Sequence, residues 1–540
     1  MSHEARRAEL MRRLGELGPK KKLDAMLEEV DGRALVRGIP PEEVYATIID
    51  VGLVDSTEIV QLSTPDQFRT YVDLASWQKD RVDVLEVLHW LRAARGDDEE
   101  EYQRKLQRID MELIELMFKK LTRIHNLVED PDVNTEGVTL ETPEGQFLIE
   151  FTIDGVDEHA MRELTKDLMA VNPFEMTRFL EAVRWDQTTE LEEAAFQFRQ
   201  SRLQDLGFPP LDEALKVFAW VDPAKVKVVE GAPGLVKPGE RIDFVLAMFQ
   251  GLDAVERQNL EGEVRYLVNC VLVAEGAEPG DPAALRRLSE QARDTLELGL
   301  EHLTGADATR AVDVVRDRTL REIFQIGFSL TLKLKRQVER LAQEPGSRFA
   351  DTWLALDDEA ASLAALMRRR PLKALKVPGA EPVTFRSKRE LAEVEGLITR
   401  VRSQRAIFNA LLGPSPAEPI ARFGAKLSEL TPQRLFLAVA AHAEVSGTID
   451  VAPFSELRVQ ELMTRLFDEQ GRQPVLRESA GRRAVAVLSA SISEGASELE
   501  AMVARVLQAL LADVGKRWLD EGRVDPKKIV ALPVAGQPVV

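Results

Sequence analysis

Apolar residues recur along this chain at the three- and four-residue intervals of amphipathic helices, and one stretch alternates like a pair of strands. The helical pattern is clearest in Leu62–Trp77 and returns in Val171–Trp185. Each copy opens with a side-chain acceptor at the N-cap (Thr64, Asn172), a proline at the first helical position (Pro65, Pro173) and a residue able to close a capping box (Gln67, Glu175). Counting from the proline, both copies then carry an apolar residue (Phe68, Met176), an aromatic (Tyr71, Phe179), an aliphatic (Val72, Leu180) and a tryptophan (Trp77, Trp185) at matching distances. A helix that gathers these positions on one face predicts a duplicated packing unit. Trp77 and Trp185 would then be equivalent knobs between crossing helices, rather than a ligand cage with Asp80 or Asp186.

Further helices follow from the same periodicity. Residues 4–30 form a charged amphipathic opening, with Leu10, Leu14 and Leu17 on one side and Lys20–Lys22 after a Gly18-Pro19 break. Gly38-Ile39-Pro40-Pro41 and Gly207-Phe208-Pro209-Pro210 are matching turns that lead into helices. Val84, Leu85, Leu88 and Leu91 make one stripe, and Leu106 through Leu121 another. The acidic run Asp97–Glu101 ahead of the second stripe reads as a solvated helix start, because consecutive carboxylates lack chelating spacing. Beyond a Gly- and Pro-rich stretch at 223–240, helices are expected over 241–274, 281–303, 308–343, 351–369 and 387–412, and again from Thr431-Pro432-Gln433. Arg368–Lys373 reads as helix C-terminal charge before the Pro371 stop. Ile529–Val534 is an apolar tail that packs back or frays. Only Val138–Ile153 departs from helix. β-Branched and aromatic residues flank Thr142-Pro143-Glu144-Gly145, which predicts a β-hairpin that must dock on something, because a lone two-stranded ribbon is marginal.

Composition narrows the classes. At 540 residues the chain exceeds one compact core, and 44% hydrophobic with 30% charged residues is ordinary for a folded protein. Its 71 basic and 91 acidic residues leave a net charge of −20, which disfavours nucleic acid and anionic membranes. One cysteine, Cys270, excludes an internal disulfide framework and Cys-rich metal sites, and its apolar helical run marks it as core. The N-terminus has no apolar signal core and no run is long enough to span a bilayer, so a cytoplasmic location is expected.

Chemistry-bearing patterns are few. Glu86 and His89 form one Glu-x-x-His, half of a bundle di-metal motif whose second half is missing, so His89 reads as a core-edge residue. His302 near Glu297 and Glu301, and His442 in an apolar helix, read the same way. The chain contains no phosphate-binding Gly-rich loop, dinucleotide fingerprint, nucleophile elbow or His-Glu-x-x-His. No catalytic, cofactor-binding or metal-binding residue is assigned.

Ser63-Thr64-Pro65-Asp66-Gln67-Phe68 running to Trp77-Gln78-Lys79-Asp80, the hairpin loop Thr142–Phe147, the Gly207–Ala214 turn, and Arg370-Pro371-Leu372 with Phe385-Arg386-Ser387 stand in order along most of the chain. Together they resemble a family of uncharacterised bacterial proteins of about this length, known only as a domain of unknown function, and the resemblance implies no activity or cofactor. Residues 34–95 are also similar to the superhelical N-terminal domain of MgtE-type magnesium transporters and to armadillo-like flagellar switch proteins, although the transporter's membrane part has no counterpart.

The expectation is an all-α protein, helical-repeat-like, elongated or multi-lobed, with one small inserted β-hairpin. Its expected regions are an N-terminal helical region with the first Pro…Trp unit (1–128), the hairpin insertion (129–155), the second unit (156–225), a linker (226–240), a central helical region (241–370), an irregular linker (371–386) and a C-terminal helical region (387–540). The favoured function is a non-enzymatic cytoplasmic scaffold or adaptor that binds another protein through a helical-repeat surface. The alternative is an enzyme, or a small-molecule or metal sensor, whose site is assembled from distant helices. No cofactor is expected, nucleic acid is disfavoured, and a homo-oligomer is compatible with this reading.

Overall fold

The computed structural model describes residues 18–28, 32–171, 173–227, 243–305, 307–344, 346–349, 352–375, 377, 379–413, 431–470, 473–516 and 524–534. The opening stretch with Leu10, Leu14 and Leu17, the Asn172 cap and the linker over 228–240 lie outside these residues. The fold is all-α, with small strand pairs between helices. It divides into two compact units: Met1–Val217 with Gln258–Glu290, and Phe218–Arg257 with Gln291–Val540.

The first unit opens with α1 (Pro19–Glu28), α2 (Gly32–Gly38), α3 (Pro41–Val51), α4 (Thr57–Leu62) and α5 (Pro65–Ala75). The Thr64 side chain accepts the Gln67 N–H while Gln67 reaches back to the Thr64 N–H, so the expected capping box at the start of α5 is formed. A ribbon of β1 (Trp77–Gln78) and β2 (Arg81–Val82) follows, then α6 (Val84–Ala94), α7 (Glu99–Leu106) and α8 (Met111–Leu121). Tyr45, Tyr71 and Trp90 stack at the centre, with ring centroids 5.7–6.5 Å apart.

The expected hairpin forms from β4 (Thr139–Glu141) and β5 (Phe147–Phe151), and it docks on a strand. β3 (Thr122–Asn126) runs straight out of α8 and pairs antiparallel with β5, Thr122 opposite Phe151 and Asn126 opposite Phe147, giving the order β3-β5-β4. Pairing on both sides of β5 removes the marginality of a lone ribbon. The strand content is thus wider than one hairpin, since β1–β2 and two ribbons of the second unit accompany it.

Helices α9 (Gly155–Val171), α10 (Pro173–Trp185), α11 (Thr188–Asp205) and α12 (Leu211–Leu215) complete this part of the chain. Arg202 of α11 bonds Asp73 at 2.6 and 2.8 Å and Asp110 at 2.7 and 3.0 Å, so one guanidinium ties α11 to α5 and to the start of α8.

Next come α13 (Phe244–Gln250), α14 (Ala254–Glu275), α15 (Pro282–Thr304), α16 (Ala311–Asp317) and α17 (Leu320–Gln343). The single helices expected over 241–274 and 308–343 are each split. Asp253 caps the Val255 and Glu256 N–H groups after a break at Gly251, and Thr319 closes a capping box with Glu322. A ribbon of β6 (Arg348–Phe349) and β7 (Thr352–Trp353) leads to α18 (Asp357–Met367), α19 (Lys388–Leu412), α20 (Pro432–Ser446) and α21 (Glu456–Leu466). After β8 (Phe467–Gln470) and β9 (Gln473–Leu476) come α22 (Arg482–Ser489) and α23 (Ala496–Gly515).

Apolar cores of the second unit include one around Leu334, Val338, Phe385 and Ile398 and another around Phe408, Phe436, Phe454 and Met502. The tail packs back as far as Val534: Ile529 and Leu532 are buried and Phe454 N–H donates to Pro533 O at 3.0 Å. Gly299 and Gly327 let α15 and α17 meet backbone to backbone. A Cβ on Gly299 would overlap Ile323 O, and one on Gly327 would overlap Thr295 O.

Candidate partner-binding surface

The duplicated unit places its two tryptophans differently, which corrects the expectation of equivalent posts. α5 stops at Ala75, and the ribbon turn folds Trp77 inward to 3% exposure, against Phe196 at 6.0 Å and beneath the Arg199 guanidinium at 5.2 Å. α10 instead runs on through Trp185, which is 72% exposed. At about 100° per residue, the positions three, six and seven after the proline share a face, while the twelfth falls about 170° away from its centre. A continuous helix therefore carries Met176, Leu180 and Val183 inward and Trp185 outward.

Trp185 is exposed yet tethered to its own helix. Its Nε1 donates to Glu181 Oε2 at 3.0 Å, and the Arg184 guanidinium lies 5.3 Å from its ring. Arg184 is itself fixed by Glu129 at 2.6 and 3.2 Å and by Glu181 at 3.1 and 3.2 Å. Lys119 of α8 donates to Val183 O at 2.8 Å and Arg184 O at 3.3 Å, closing the last carbonyls of α10.

Beside Trp185 lies an open cleft of about 470 Å3, lined by Lys119, Arg123 and Arg184 and by no carboxylate. Arg123, exposed on β3, makes no ion pair among the described residues. Near the other end of the same helix pair, Met111, Ile114, Met176 and Phe179 line an apolar groove of about 340 Å3, and Met111 is 55% exposed. The two are separated by the seven residues from Met176 to Val183, about 10 Å of helix. Under this surface Glu115 is pushed up to about 7 by burial, with Asp186 and Glu112 adding repulsion.

His89 meets Asp157 at 3.1 Å and Glu86 at 3.5 Å, and that same Glu86 accepts Trp90 Nε1. His302 faces Pro223 O, with burial lowering its pKa, and buried His442 contacts Ala452 O at 2.8 Å. Cys270 is buried. Among the described residues no group of three or more His, Cys, Asp or Glu could hold a metal ion, and no helix is long and apolar enough to cross a membrane. In the acidic run, Asp98 caps the Glu101 N–H at 3.0 Å. In the basic cluster, Lys335 donates to Arg368 O at 2.8 Å, and Arg370 is nearly buried over the Phe218 ring at 3.4 Å.

Sequence reasoning passed over Arg123, Lys119 and the outward direction of Trp185. The helical-wheel angle of the twelfth position was the signal for the last; which cations would stand beside it depends on tertiary packing.

The chain belongs to a family of unknown function, DUF6178, whose model matches residues 2–535. No curated protein and no solved structure matches it.

Proposed function

We propose that this protein is a non-enzymatic cytoplasmic scaffold that binds another protein along α8 and α10, with Trp185 at the centre of the contact. The observation that carries this reading is a large aromatic left in solvent and tethered by Glu181 and Arg184. Exposing an indole forgoes its burial energy, and Trp and Arg are among the residue types enriched at positions that dominate interfaces. Ordering it in advance lowers the entropy lost on docking.

Its surroundings favour one kind of partner chemistry. A segment with apolar side chains for the Met111–Met176 groove and a carboxylate about 10 Å further on, opposite Arg123 and Lys119, matches both ends. The experiment is quantitative capture of partners by the full chain and by its Trp185→Ala and Arg123→Glu variants, with Val54→Ala, another exposed apolar site, as control. Recovery of the authentic partner should fall about 30-fold for Trp185→Ala, the loss expected of a dominant interface residue, and stay unchanged for the control. Equal recovery from all four proteins would overturn the reading.

A further inference from the structure

Away from Trp185, the first unit contains a cavity of about 290 Å3 assembled from α3, the end of α5, the Phe208 turn, α14 and the start of α15. Its walls are preformed. Tyr45 Oη donates to Gly280 O at 3.0 Å, Gly280 is seated so closely on Leu74 O that a Cβ would overlap it, and Asn269 Nδ2 holds Gly207 O at 3.1 Å. Those polar groups are spent on the walls. The lining is otherwise mainly apolar, from Leu74, Phe208, Val268, Leu285 and the prolines.

The rim of this hollow carries charges of both signs. Glu42 and Glu43 on α3 and Arg265 on α14 line the same opening, yet none of the three makes an ion pair among the described residues, with one another or elsewhere. Ser289 adds a hydroxyl to the lining. Charges of both signs left unpaired around an apolar hollow match a ligand that carries both charges and an apolar body. A hollow of about 290 Å3 has room for the side chain of one large apolar amino acid.

We propose that this cavity binds a free apolar α-amino acid, its side chain inside, its ammonium facing Glu42 and Glu43 and its carboxylate facing Arg265. The site is separate from the Trp185 surface and does not depend on it.

The test is titration calorimetry of the full chain with L-leucine and L-phenylalanine, and with isopentylamine and isocaproate, which each keep leucine's body and one of its charges. Leucine or phenylalanine should bind at least 10-fold more tightly than either analogue. Arg265→Gln should weaken the amino acid 10-fold or more and leave the amine unchanged. The double change Glu42→Gln and Glu43→Gln should weaken the amino acid and leave the acid unchanged. These rim residues are at least partly solvent-exposed, and thermal melts that match the parent would show that folding is intact. No heat from either amino acid at millimolar concentration, or an analogue binding as tightly as leucine, would overturn the proposal. Partner capture that still depends on Trp185 would show that the scaffold reading had survived that failure.

Discussion

Thr64–Trp77 and the helix Pro173–Trp185 set the same kinds of residue at the same distances from a proline, and their tryptophans have opposite fates. Both rings lie near an arginine guanidinium, 5.2 Å away for Trp77 and 5.3 Å for Trp185. Arg199 is itself buried and donates to Asp73 O at 2.8 Å, whereas Arg184 is braced by the more exposed Glu129 and Glu181. What separates the two regions is where the helix stops. Ser76 ends α5 one residue before the tryptophan, and the Asp83 N–H bond to Ser76 O closes the ribbon that turns Trp77 inward. No such stop interrupts α10. A shared spacing of apolar residues thus specifies a helix face, while the terminus decides whether a residue beyond that face joins the core.

The sharpest way to break this contrast is to remove each indole. Trp77→Ala should cost about 3–5 kcal/mol in urea unfolding, and Trp185→Ala should stay within about 0.5 kcal/mol. Similar losses at the two sites would mean that burial does not distinguish them. Next come the arginines. Arg199→Met deletes a buried charged hydrogen bond and should cost about 2–3 kcal/mol, against less than about 1 kcal/mol for Arg184→Met on the exposed side. An Arg184 loss as large as that of Arg199 would show that the brace beneath Trp185 supports the fold as well as the surface.

The smallest effect concerns Glu115. Its folded-state pKa, about 7, lies above its ordinary 4.5, so its contribution to stability is fully present below pH about 4.5 and is lost as pH rises through about 7. Glu115→Gln should flatten the fall in melting temperature between about pH 5 and 8 and raise the midpoint at the alkaline end. A parent and variant with parallel pH profiles would contradict the burial of this carboxyl.

Local signals carried much of the fold into view. The caps at Thr64 and Thr431 and the strands around Pro143-Glu144-Gly145 are short-range features, and each forms. Less visible were the breaks at Gly251 and Arg318, where continuous apolar periodicity masked a capped restart. β3 was missed because Thr122-Arg123-Ile124 follows a helical stripe without a turn residue. The candidate surface was legible only as a pattern containing Trp185. Its orientation followed from helical geometry, but the approach of Lys119 and Arg123 comes from packing between segments far apart in sequence. The Glu42–Arg265 rim was hidden for the same reason.

The crossing of α15 and α17 at Gly299 and Gly327 has a mechanical consequence. Where side chains separate two helices, a change of rotamer or volume can adjust the gap; here the neighbours are peptide oxygens, which have no such latitude. The spacing at this point is set by covalent geometry, so repacking elsewhere in the second unit can tilt or slide the pair about the crossing but cannot draw it closer, and any side chain added there acts as a wedge.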